Sequence, residues 1–175
     1  ASNSTGSANG TILNFTTQNL ASQTITWTTI TSKYYGDTAT AIAPATSGLN
    51  TTITSRTPSV CTVPNPSTSG ATVTILTTGT CVLRSAQSGN ASYLPATSVD
   101  ETFTVSAKPI TVTAASKSKV FGASDPALTY SHTPSLLAGD TFTGTISRNS
   151  GQSVGQYSII QNTLALPVGY QLIYV

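Results

Sequence analysis

His132 is the only imidazole in the chain, and the carboxylates are Asp37, Asp100, Glu101, Asp125 and Asp140. General acid–base catalysis needs such groups to converge in one pocket. Their spacing offers no convergence. Only Asp100 and Glu101 are neighbours, and neighbours on a strand point to opposite faces. His132 is followed by "TP" in a loop-like stretch, where a solvated or hydrogen-bonded surface role is expected. Serines are numerous enough to draw a Ser–His–Asp triad on paper, but abundance is not geometry. One His and two Cys, at a spacing unlike C-x₂-C, do not make a zinc site. "GASD" and "AGD" each offer calcium a single carboxylate. The expectation is no enzyme, no cofactor and no metal.

Two non-catalytic chemistries are weighed beside this. Trp27, or the pair Tyr34 and Tyr35, could stack on a sugar ring and make a glycan- or receptor-binding adhesin module. Against that, each β module needs an aromatic residue in its own core. Thr-x-Thr recurs at 24–26, 52–54, 72–74, 102–104, 111–113 and 141–145, and regular threonine ladders can match ice. Outward threonine on half-buried strands is what this composition produces anyway, and the fixed short period of a solenoid is absent. Ice binding is therefore the minor alternative.

Charge excludes other partners. The basic residues Lys33, Arg56, Arg84, Lys108, Lys117, Lys119 and Arg148 are scattered, and the net charge is +2. Nucleic acids and anionic membranes call for a clustered basic footprint. No apolar stretch approaches the roughly 20 residues that span a bilayer, so membrane insertion is not expected. "ASNSTGSANG" lacks the basic and then apolar run of a signal peptide. It reads either as a mature end left after a leader is removed or as a cut boundary.

The elements that would hold these side chains are strands. Only 7% of residues are charged, against roughly 25% in ordinary soluble domains. Hydroxyls fill the deficit, with 34 Thr and 24 Ser. Thr suits a pleated surface, and both residues are mediocre inside helices. The fold class is all-β. Short strand-like runs recur between turn signals such as "PNPSTSG" (64–70), "SGNASY" (88–93) and "GASDP" (122–126). Within "ATVTILTT" (71–78), Val73 and Ile75 face one way while Thr72 and Thr74 face the other. Short strands at this spacing predict a sandwich or Greek-key barrel.

Cys61 and Cys81 lie twenty residues apart in strand-like contexts, "PSVCTV" and "TGTCVLRSA". A hairpin-like pair of strands would bring them within disulfide range, with two buried free thiols as the alternative.

A repeat sets the organisation. "ITWT" (25–28) matches "ITVT" (110–113), and each is followed within ten residues by Lys-x-aromatic-Gly. The two Lys-x-aromatic-Gly motifs begin at Lys33 and Lys119, 86 positions apart. Similar openings on two domain-sized units imply tandem modules. The boundary falls near "SAKP" (106–109), where Pro109 stands at a strand start that tolerates it. The expected division is a flexible segment 1–22, a first module 23–106 and a second module 107–175. Tyr35 and Phe121 are expected to plug a core end, and Gly36 and Gly122 to turn the chain sharply.

The segment "TPSVCTVPNPSTSGATVTILTTGTCVLRSAQSGNASYLPATSVDETFTV" (57–105) resembles the Ig-like repeats of large bacterial surface proteins, with their paired cysteines. Residues 108–175 resemble the YGX-type MBG domain found beside them. Its pieces stand here as Lys119-Val-Phe-Gly122, Asp125-Pro126, Gly139-Asp140-Thr-Phe-Thr-Gly144 and Val154-Gly-Gln-Tyr157. Phe121 replaces the usual Tyr of that motif. The resemblance implies two Ig-like β-sandwich modules, the second a sandwich or a grasp-like sheet. It implies an extracellular, cell-surface setting and a stalk or spacer role in secreted adhesins, without catalysis. Relatives usually carry one further strand past a segment like "YQLIYV", so the second module is expected to lack its last strand. Residues 11–20, "TILNFTTQNL", read as a spare strand with Ile12, Leu13 and Phe15 as its apolar set. A spare strand at one end and a missing one at the other predict donor-strand exchange. The expected partners are identical subunits or neighbouring modules, with a glycan as the other candidate. The remaining readings are pairing of 11–20 within its own module, or a chain simply cut.

Overall fold

The computed structural model describes residues 19–65 and 67–175, and among them it contains strands and no helix. The fold is all-β, in keeping with a β-sandwich. Before residue 107 the strands are β1 (Lys33–Tyr34), β2 (Ala39–Ala41), β3 (Thr52–Ser55), β4 (Cys61–Thr62), β5 (Ala71–Ile75), β6 (Gly79–Gln87) and β7 (Ala96–Ser106). They form two sheets, ordered β1-β7-β6-β3 and β2-β5-β4. Alternation decides which side chains meet between them. β6 turns Cys81 and Leu83 inward and β7 turns Phe103 and Val105 inward, while Ala41, Cys61 and Val73 come from the facing sheet. Val73 is buried and Thr72 and Thr74 are exposed, as the period of two requires.

Cys61 and Cys81 form a disulfide with a Cα–Cα distance of 5.7 Å. The bridge does not join a hairpin pair. β4 and β6 belong to different sheets, so it clamps the two layers together. The reason is that the connection after β5 carries the chain across the sandwich instead of folding β6 back beside it.

The run 23–30 reads as one strand but serves both sheets. Ala21 bridges Tyr93 in parallel, Ile25 bridges Ala45, and Lys33 and Tyr34 return to pair in parallel with Val105 and Ser106. Thr28 N donates to Ile42 O at 2.9 Å in between. The segment therefore laces the open side of the core.

After Ala107 come β8 (Lys108–Ala114), β9 (Tyr130–Thr133), β10 (Ser147–Arg148), β11 (Ile159–Ile160) and β12 (Tyr170–Tyr174). β8 is central in the order β12-β8-β9, parallel to β12 and antiparallel to β9. β10 and β11 form a separate antiparallel ribbon. Ile110, Val112 and Leu164 are the fully buried centre, covered by half-buried rings and aliphatics including Tyr130, Phe142 and Leu172.

Candidate functional site

One residue, Ala107, separates β7 from β8, and the two strands do not pair with each other. The Tyr35–Gly36 turn packs into the corner they make. Tyr35 N donates to Ser106 O at 2.9 Å, and the Tyr35 ring meets Tyr170 edge-on with centroids 5.4 Å apart. Gly36 has φ +83°, and a Cβ there would sit 2.7 Å from Leu137 Cδ1. Gly169 has φ +105°, and its Cβ would lie 2.5 Å from the Tyr35 ring. Both glycines are required by close approach as well as by backbone conformation. Tyr170 O–H donates to Asp140 Oδ2 at 2.7 Å and accepts from Leu137 N at 2.8 Å. Burial, together with the Asp140 carboxylate, pushes the Tyr170 phenol above its ordinary range. Asp140 is thereby engaged in fixing the 137–140 turn against β12.

The second Lys-x-aromatic-Gly turn behaves differently. Gly122 does turn with φ +85°, but Phe121 does not plug a core: it is 71% exposed, and Val120 is 80% exposed. The physical reason is that no strand or loop among the described residues lies where β12 and the 137 loop lie for Tyr35. Instead, residues 116–121 form one wall of an open groove of about 1140 Å³, with residues 151–159 opposite.

Ion pairing shapes that groove. Lys119 Nζ lies 2.6 Å from Asp125 Oδ1, and Arg148 Nε donates to Asp125 Oδ2 at 2.9 Å. The Arg148 hydrogen bonds, with that from Lys119 next, hold the Asp125 carboxyl down at about 2. Arg148 also donates to the carbonyls of Asn149 and Gly151, at 2.8 and 2.9 Å, and lies 5.1 Å over the Tyr157 ring. Tyr157 O–H in turn donates to Ser153 O at 3.0 Å. The groove is thus braced by a carboxylate that stays ionised at neutral pH and is a poor proton donor.

Gly151-Gln-Ser-Val-Gly155 in this wall satisfies the G-x-S-x-G pattern, against the expectation that no such elbow motif is present. It is not a nucleophile elbow. That device needs a strand-to-helix turn, whereas this stretch runs from β10 to β11 with no helix. Among the described residues, no hydrogen bond joins Ser153 to an imidazole or a carboxylate. His132 lies on β9 with its ring 5.0 Å from Phe142, its Nδ1 facing Pro134 O at 3.3 Å. Asp100 is on β7 in a two-pronged pair with Arg84, which holds its carboxyl below the usual range. Asp37 caps its own turn by accepting from Tyr34 N at 2.8 Å. The structure therefore keeps His132, Asp37, Asp100 and Asp140 apart, while Asp125 is gathered with Lys119, Arg148 and Tyr157 at the groove.

The candidate sugar platforms are also placed. Trp27 is half-buried against the sandwich core and donates from Nε1 to Val99 O at 3.0 Å. Tyr35 is held at the junction, and Tyr34 is 50% exposed. Ile12, Leu13 and Phe15 lie outside the described residues.

Comparison with known proteins adds one finding. No curated protein matches the chain. A family match covers residues 110–175, the stretch that carries both the groove and the surface receiving Tyr35: these residues are similar to the MBG domain (YGX type).

Proposed function

We propose that the chain is a non-catalytic structural element of a bacterial extracellular surface adhesin or fibre, made of two tandem modules over 23–106 and 107–175. The observation that carries the reading is the junction. A single residue links β7 to β8, and the Tyr35–Gly36 turn is wedged against Leu137, Gly169 and Tyr170. Such a joint resists bending, because any hinge motion must separate close-packed groups rather than extend a linker. Rigid end-to-end stacking suits a stalk. The disulfide between the two sheets restricts unravelling, and closure of a loop of this size contributes roughly 3 kcal/mol. Similarity of residues 110–175 to the MBG domain supports the surface setting.

In this reading the subunits polymerise head to tail, residues 11–20 of one copy completing a sheet of the next. Such a contact is heterologous and does not close on itself, so it builds a thread. Negative-stain electron microscopy of the purified chain tests this: threads are expected, and the chain lacking residues 1–18 is expected to remain monomeric. Threads that persist in the truncated chain overturn it.

The alternative, a glycan-binding adhesin module, is favoured by one feature, the groove walled by Tyr157, Arg148, Gln152 and Lys119. A glycan array on the chain, repeated with Tyr157→Ala, tests that reading.

A further inference from the structure

β7 and β8 follow each other through Ala107, and each is an inner strand of its sheet, in the orders β1-β7-β6-β3 and β12-β8-β9. Tension running along the chain therefore passes from one inner strand directly into another. Where it enters and leaves each region decides how the strands resist it.

After Ala107 the load enters β8 at Lys108 and leaves through β12 at Tyr174. The two strands are parallel, paired from Tyr170–Lys108 to Tyr174–Val112. Their starts lie side by side, so entry and exit are at opposite ends of the pair, and tension slides one strand along the other. Lys108 N donates to Gly169 O at 2.9 Å at one end of this ladder. At the other end Val175 N donates to Val112 O at 2.9 Å and Ala114 N to Val175 O at 3.3 Å. Bonds of a parallel ladder are evenly spaced along the strands. Sliding loads them together, whereas peeling from one end loads them one after another. Ile110 and Val112 of β8, both fully buried, must shift in the same movement.

Before Ala107 the same geometry is built by other means. Load entering at Asn19 runs along the lacing segment and leaves through the end of β7 at Ser106. Ala21 N donates to Ser92 O and Leu94 N to Ala21 O, both at 2.9 Å. Gln23 Nε2 donates to Leu94 O at 2.7 Å, and Trp27 Nε1 to Val99 O at 3.0 Å. Ile30 N donates to Glu101 Oε1 at 2.8 Å, and Lys33 and Tyr34 pair in parallel with Val105 and Ser106. The partners advance in step along both stretches, so tension shears this seam as well.

Resting on the stalk reading above, we infer that the chain is a force-bearing element. The seam of 21–35 along 92–106 and the β8–β12 pair are two shear clamps in series. Residues 36–91, which include the groups of the β2-β5-β4 sheet, lie off the line of force, as do residues 115–168 with the groove. The Cys61–Cys81 bridge belongs to the first of these excursions, and both cysteines are fully buried. It bears no tension while the seam holds. Once the seam parts, it withholds the residues between the two cysteines from extension, and so acts as a stop behind the first clamp.

Optical tweezers test this on the whole chain, with DNA handles on introduced thiols, since both native cysteines are already paired. Handles at Ser106→Cys and Val175→Cys load β8 and β12 at opposite ends. Handles at Ser106→Cys and Val168→Cys load them at their shared end, so the pair is peeled. All three side chains are exposed, which keeps the substitutions out of the core. Forced unfolding follows the unfolding barrier, so a yield force several-fold higher is expected in the first geometry. Equal forces in the two geometries overturn the inference. Handles at Asn19→Cys and Ser106→Cys address the seam, with dithiothreitol present during the pull. A single yield is expected, followed by a later step of roughly 6–7 nm as the exposed bridge is reduced, given a sequence separation of 20 and ~3.3–3.6 Å per residue. A lengthening of that size before the yield would place the bridge under load in the folded chain and overturn the stop. A chain that resists shear but forms no threads by microscopy keeps the clamps and overturns only the polymer reading.

Discussion

The regions before and after Ala107 contrast in how they close their cores. The first encloses Ile53, Leu83, Phe103, Val105 and their neighbours between two sheets and clamps the layers with Cys61–Cys81. The second buries fully only Ile110, Val112 and Leu164, and its groove stands open. Each contains a parallel pair, β1 with β7 before Ala107 and β8 with β12 after it. The difference lies at the two Lys-x-aromatic-Gly turns. β7 continues to cover the Lys33 turn, whereas nothing among the described residues covers the Lys119 turn. The Lys33 turn is thus covered by β7, and the 71% exposure of Phe121 marks the turn that has no such cover among the described residues.

The contrast can be broken most sharply at Phe103, the 4%-exposed ring that β7 contributes to the first core. Phe103→Ala is expected to destabilise that region by about 4 kcal/mol. Urea unfolding followed by the single tryptophan reports it, because Trp27 packs against the same cluster. A change below roughly 1 kcal/mol would mean that the β7 ring does not seal the sandwich.

A smaller effect is expected at the junction. Gly169→Ala places a methyl group against Tyr35 at a positive φ, at a cost of about 2 kcal/mol. Calorimetry should show the transitions of the two regions moving apart as their coupling weakens. An unchanged thermogram would remove the wedged turn as the source of rigidity.

The mildest prediction concerns acid. The Asp125 carboxyl is held at about 2, below its unfolded value near 3.9, so its ionised form favours the folded groove. That contribution is present above pH ~4 and is lost as pH falls toward ~2. Carbon NMR of the Asp125 carboxyl should show the depressed midpoint, and Arg148→Gln should raise it. A midpoint near 4 in the unaltered chain would show that the two cations do not brace the groove.

Much of the architecture could be read from residue order. Alternating apolar and hydroxyl side chains marked β5, β6 and β7, because a pleated strand has a strict period of two. The glycine after each aromatic marked a turn, since positive φ is costly for other residues. The ladder pairing of Lys33–Tyr34 and the short β2 at Ala39–Ala41 were not legible, because strands of two or three residues have too little length to show a period.

The chain's own chemistry determined that it builds sheets. Which aromatic turn is covered and which is bare was decided only in three dimensions. Tyr35 and Phe121 sit in near-identical local motifs, and local sequence sets the turn but not what arrives from elsewhere to cover it. Likewise, two cysteines twenty residues apart allow a bridge, but only the crossing of β5 and β6 between layers makes it a clamp through the core. Cover and crossing are long-range properties, set by where distant strands are free to pack.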